Sequence, residues 1–196
     1  QRFYLKDFIQ EYNEYSAVAI NWINFGSSYN HFKQPGYLLE NFKYCEKVAD
    51  GHVKSFCRPM DVKKIYNPHF VILKDTTTYK GYVDPLKRKL IFDNKNYYNN
   101  SSDSLDIIQV NHYWGKSYQE LEQKINRGRA MMGSKRTMPE NYHDLYHFRE
   151  DTLIINKFLP KIKKVFEAIS THPNMYKVLN KNLEKHLGDN LDNYTR

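Results

Sequence analysis

Ala17-Val18-Ala19-Ile20-Asn21-Trp22-Ile23-Asn24-Phe25-Gly26-Ser27-Ser28 decides the class of fold. The run is rich in β-branched and aromatic residues and stops at a Gly-Ser-Ser turn, which predicts a strand. Upstream, Phe3, Leu5, Phe8, Ile9 and Tyr12 recur near helical spacing with polar residues between them, so a helix precedes the strand. Downstream, Pro35-Gly36 opens a predicted helix through Leu38, Leu39, Phe42 and Cys45. Val53–Cys57, His69–Leu73 and Lys89–Phe92 read as short strands, and Ile107–Val110 as a last one. Ser117 then begins a helix, with Glu120 completing a capping box, and the helix runs past Ile125 to Arg129.

The stretch 93–104 is polar, aperiodic and loop-like. Beyond residue 140 the pattern is helical and lysine-rich, with an apolar stripe of Ile154, Phe158, Ile162, Val165, Phe166 and Ile169 that Pro160 must kink or bound. Helices alternating with strands imply mixed α/β, without a complete set of βαβ units. The expected division is 1–140 as one domain and 141–196 as a helical extension. The chain opens in mid-element with Gln1 and reads as the later part of something longer.

The 196 residues carry 30 Lys+Arg against 22 Asp+Glu, a net charge of +8. Lysine outnumbers arginine 22 to 8, and Asn and Tyr are also abundant, so A/T-rich codons explain much of the excess. The charge is scattered without a recognisable nucleic-acid motif, so nucleic acid is not an expected partner. Lys124, Arg127, Arg129, Lys135 and Arg136 form one denser cluster, read as a solvated face. No apolar run approaches the roughly 18 residues that a spanning helix needs, and Gln1–Lys6 does not read as a signal peptide. Cys45 and Cys57 make neither a disulfide framework nor a zinc spacing, which points to a reducing, cytoplasmic setting.

Val110-Asn111-His112-Tyr113-Trp114-Gly115-Lys116-Ser117 carries the densest chemistry. A histidine leaving a strand, then Gly115, Lys116 and a helix N-terminus, suits a metal-bridged diphosphate. The other reading is a hydrogen-bonded strand-end histidine beside a surface lysine. Lys54 and Arg58 share a face at i, i+4 on a strand, to meet one anion or simply to line an exposed edge. His69 lines a pocket or stabilises a turn. Glu40 serves as a general base or is merely solvated. Glu150-Asp151 is read as helix capping near Thr152.

Taken in order, Asn21–Ser28, Leu38-Leu39-Glu40, Val53–Pro59, His69-Phe70, Val110–Ser117 and Lys124–Gly128 resemble the family-2-like and family-92-like group of GT-A-fold glycosyltransferases. The resemblance covers about residues 1 to 130. It implies the later half of a GT-A fold with a helical tail, and a metal-dependent transferase using a nucleotide-sugar donor and a divalent ion, usually Mn²⁺. The acceptor would be a glycan or lipid-linked carbohydrate, in bacterial surface-glycan synthesis. By resemblance, His112 holds the metal and Glu40 is the catalytic carboxylate. Gly26, Ser27, Ser28, Lys54, Arg58, His69, Gly115 and Lys116 line the donor and acceptor sites.

One departure matters: no Asp-x-Asp triplet occurs in the sequence, and the family carries it just before the first helix. The expectation is therefore a chain inactive by itself, associating with a missing N-terminal half or with itself. The alternative is a non-catalytic remnant that binds carbohydrate or a partner. The 154–169 stripe, flanked by lysines, either packs on the domain or lies on an anionic membrane surface, giving contact with the inner membrane.

Overall fold

A computed structural model describes residues 5–75, 79–90, 104–128, 136–152, 154–172 and 174–175. The chain is mixed α/β and divides into two compact units. The first comprises the residues up to Gly36 together with Asn41–Glu150. The second comprises Tyr37–Glu40 and the described residues from Asp151 onward.

In the first unit, α1 (Leu5–Glu11) leads into the central strand β1 (Ala17–Asn24). β1 is flanked on one side by antiparallel β3 (Asp50–Cys57). Its other side is shared by two parallel strands, β6 (Tyr82–Val83) along its first residues and β7 (Val110–His112) along its last. Alternation along β1 explains how both faces are buried. Val18 and Ile20 pack with Phe8 of α1 and with Tyr12 just after it, whereas Ala17 and Ala19 pack with Val53, Phe70 and Tyr82. Burying a side chain such as Phe8 or Ile20 contributes about 1.5–3 kcal/mol each, so the sheet and α1 are mutually dependent.

Smaller elements frame this sheet. β2 (Tyr44–Cys45) pairs with β8 (Arg149–Glu150), and β4 (Val62–Ile65) pairs with β5 (Val71–Leu73) after a 3-10 turn at Pro59–Asp61. α3 (Tyr118–Arg127) begins at a Ser117–Glu120 capping box and ends at Gly128, whose φ of 76° is the left-handed conformation glycine tolerates. In the second unit, the carboxylate of Asp151 accepts from the Ile154 amide. A π-helical turn (Ile154–Phe158) then leads into α4 (Leu159–Ser170). Pro160 sits in the first turn of α4, where its missing N–H costs nothing.

Several boundaries differ from the sequence pattern. The helix expected through Cys45 is the four-residue α2 (Leu38–Asn41), because Tyr44 and Cys45 leave it to pair with β8. The strand expected at Ile107–Val110 lies three residues later: the amides of Ile107 and Ile108 bond back to Ser104 in a turn. Residues 142–150 hold a 3-10 turn and β8 rather than helix. Lys89 makes a bridge with Val83, while Ile91, Phe92, most of the 93–104 loop, Arg129 and Lys135 lie outside the described residues.

Candidate functional site

β1 and β7 run parallel and finish together, with Asn24 opposite His112. The carboxyl ends of parallel strands are where α/β sheets collect ligands, because loops diverge there and leave a crevice. At this end three histidine rings, from two strands and a loop, gather around Trp22 of β1. The His112 ring stacks on the indole at 3.8 Å, His52 stacks at 5.0 Å, and His69 lies tilted at 5.1 Å. Lys54 Nζ sits 5.6 Å from the same indole. The indole Nε1 is buried with no hydrogen-bond partner among the described residues.

A bulge in β3 makes this possible. Pairing runs regularly to Asn21–Val53 and then jumps to Trp22–Asp50, so Gly51 and His52 are extra residues in β3. Asp50 holds the bulge: its Oδ1 accepts from the His52 amide at 2.7 Å and lies 2.6 Å from His52 Nδ1. Burial works to raise the Asp50 pKa, but the bonds from His52 and Asn24 outweigh it and keep the carboxyl below its ordinary value.

From Asp50 a chain of hydrogen bonds reaches His112. Asn24 Nδ2 donates to Asp50 Oδ2 at 3.0 Å, which turns Asn24 Oδ1 toward His112 Nδ1 at 2.7 Å. An amide oxygen can only accept, so Nδ1 carries the proton and Nε2 keeps its lone pair. Burial, reinforced by nearby Lys124, lowers the His112 pKa to about 4, so the ring is neutral at physiological pH. Glu46 Oε2 accepts the Asn24 amide at 3.0 Å, and burial raises the pKa of that carboxyl. His69 is oriented in the same way: its Nδ1 faces Val53 O at 3.1 Å, and burial lowers its pKa.

The segment after β7 departs from the phosphate-cradle expectation. The volume a side chain at Gly115 would fill is taken by the Tyr142 ring, whose hydroxyl donates to Lys116 O at 2.7 Å. Gly115 therefore admits Tyr142, not an oxyanion. Lys116, with φ at 63°, pairs with Glu120 at 3.2 Å. The first amides of α3 are taken as well. Tyr118 and Gln119 donate to the carbonyls of Asn30 and His31, and Glu120 donates to Ser117 Oγ. Lys124 donates to Trp114 O and lies 5.0 Å from the Trp114 ring.

The Gly26-Ser27-Ser28 loop is likewise turned to internal use. A Cβ on Gly26 would meet Leu145 O and the His147 ring, so only glycine fits. Ser27 is buried and its Oγ accepts from the Tyr29 amide, with His143 Nδ1 at 3.4 Å. Ser28 Oγ accepts from the amides of Lys43 and Tyr44, which anchors β2.

Lys54 and Arg58 do not converge on one anion. Lys54 donates to Pro68 O at 2.9 Å, whereas Arg58 donates to the carbonyls of Asn13 and Tyr15 and stacks on Tyr79. Arg58 thus clamps the turn between α1 and β1. Glu40 belongs to the second unit, where its exposed carboxylate pairs with Lys163 at 2.9 Å.

Asn24, Glu46, Asp50 and His52 belong to the site without forming a motif in the sequence. The available signal was the placing of Asn21, Trp22 and Asn24 in an otherwise apolar central strand, since a buried polar group demands a partner. Among the described residues, no group of three His, Cys, Asp or Glu side chains could hold a metal ion. His112 offers one ligand of the right kind: Nδ1 tied back, Nε2 with a lone pair. Beside the Trp22 cluster, an open groove of about 490 Å³ is lined by Ser55, Asn67, His69, Phe70 and Val71 among others. The chain matches no family model, no curated protein and no solved structure.

Proposed function

We propose that the protein transfers a sugar from a nucleotide-sugar donor to a glycan or lipid-linked acceptor, with the donor diphosphate at the shared end of β1 and β7. The observation that carries this reading is His112: a neutral imidazole at a parallel strand end, its tautomer set by the Asp50–Asn24 chain. The resemblance of Asn21–Ser28, Val53–Pro59 and Val110–Ser117 to GT-A glycosyltransferases supplies the reaction class.

In this reading His112 Nε2 is one ligand of a divalent ion such as Mn²⁺, whose charge would offset that of the departing nucleoside diphosphate. Lys124 and Lys54 add positive potential at His112, and Lys116 acts on Lys124. Lys116 does so while paired with Glu120, and the pKa of Lys124 is lowered by burial and by Arg136, Arg127 and Lys116. The role of base toward the acceptor hydroxyl falls to Glu40 by the resemblance alone, its carboxylate being paired with Lys163. The reaction would proceed on the cytoplasmic side, at the inner membrane; among the described residues no helix is long and apolar enough to cross a membrane.

A specific observation favours a second reading, a non-catalytic module that binds carbohydrate or a partner chain. The hydroxyls of Ser27 and Ser28, the first amides of α3 and the Arg58 guanidinium are all engaged internally. The discriminating experiment is nucleotide release from a panel of UDP-, GDP-, dTDP- and CMP-sugars with Mn²⁺, by the chain alone, which is expected to be inactive, and by the chain supplied with the Asp-x-Asp-bearing half that the resemblance implies. Turnover that falls at least tenfold in His112→Ala supports the transferase. Binding of glycans without turnover of any donor supports the module.

A further inference from the structure

We infer that α4 docks on an anionic lipid surface. The helix buries Leu159, and Ile154 before it is also buried, yet Ile162, Val165, Phe166 and Ile169 remain 37%, 59%, 44% and 40% exposed. At helical spacing these four fall on one side, where Phe166 meets the Tyr37 ring edge-on at 5.5 Å; Phe158, 47% exposed, precedes them in the π-helical turn. A soluble helix ordinarily turns such a stripe inward, and a contiguous exposed one marks a surface that meets something apolar.

The flanking charge names the occupant. Lys157, Lys161, Lys163 and Lys164 are exposed, and Glu167 is the one acidic residue of α4. Lys161 and Lys163 border the apolar stripe on opposite sides, while Lys164 and Glu167 lie on the far side. An apolar face edged with lysine is complementary to a bilayer interface with anionic headgroups, where apolar side chains enter the acyl boundary and ammonium groups stay among phosphates. A protein groove would instead require acidic residues matched to particular lysines. Lys163 already pairs with Glu40, and Lys157 Nζ lies 5.8 Å from the Phe158 ring, which leaves Lys161 nearest the apolar edge on its side. This inference does not depend on the transferase reading.

The test is co-sedimentation of the full-length protein with vesicles of phosphatidylcholine alone or mixed with phosphatidylglycerol. Binding to the mixed vesicles should exceed binding to the neutral ones at least tenfold and should fall as salt rises. Val165→Asp should remove it. Val165 is exposed, so its substitution leaves the buried residues of the unit untouched. Lys157→Gln with Lys161→Gln should keep the apolar stripe and still weaken binding, by about fivefold per lysine. Equal binding to both vesicle types, no binding to either, or insensitivity to Val165→Asp would overturn the inference. So would a lipid-free dimer in sedimentation velocity that Val165→Asp converts to monomer, which would make a second copy the occupant.

Discussion

His112 illustrates how much a single side chain depends on residues remote in sequence. Its ring is held by Asn24 of β1, and Asn24 is held by Asp50 of β3. Removing the amide with Asn24→Ala should therefore weaken Mn²⁺ binding by about 10- to 100-fold if His112 ligates the ion, with Asn24→Asp restoring part of it. Metal titration of the two variants reads this out. Protonation gives an independent handle. The native ring resists its proton until about pH 4, whereas an unfolded histidine accepts one near 6.5. The unfolded state thus binds more protons between those values. Stability should fall as pH drops through that window and level off above it. Urea midpoints should decline less steeply with falling pH in His112→Gln than in the wild type; parallel slopes would contradict the assignment. Glycine provides a third residue-scale prediction. Gly115→Ala should destabilise by about 1–3 kcal/mol in urea unfolding, because the new methyl meets the Tyr142 ring.

At the scale of elements, what the sequence disclosed tracks how local each signal was. The Ser117–Glu120 capping box was legible because the cap, its reciprocal partner and the apolar positions that follow all lie within one turn or two. Ser117→Ala should cost about 1 kcal/mol, measured as a lowered thermal midpoint, since Ser117 is fully buried and serves the Glu120 amide. The strand β1 was legible from its β-branched and aromatic run, and α1 from its period. β2 and β8 were not: each is two residues long, and their partners are about a hundred positions apart, so neither has a period to read. The displaced start of β7 has a local cause that hydrophobicity conceals. Ile107 and Ile108 look like strand, but their amides close a turn on the buried Ser104.

For the molecule as a whole, the mixed α/β class followed from the order of elements, while the candidate site was only half visible. His112, His69 and Lys54 were named from sequence and do gather at one indole. The scaffold that gathers them, Asp50 and the bulge at Gly51-His52, depends on antiparallel pairing that no local pattern reports. The resemblance assigns Gly26, Ser27, Ser28 and Gly115 to the donor and acceptor sites, and the helix N-terminus after Gly115 suggests an oxyanion there. Their roles instead follow from the close approach of residues 142–147 and of β2, contacts invisible without the fold. The central claim is that His112 presents Nε2 to a divalent ion at the end of β7. It is tested most directly by imidazole NMR of the full-length protein titrated with Mn²⁺ in the presence of a nucleoside diphosphate. The account predicts selective paramagnetic broadening of the His112 ring, ahead of His31, His143 and His147. It also predicts an Nδ1–H tautomer for His112 before the metal is added. Uniform broadening of all histidines, or an unaffected His112, would contradict it.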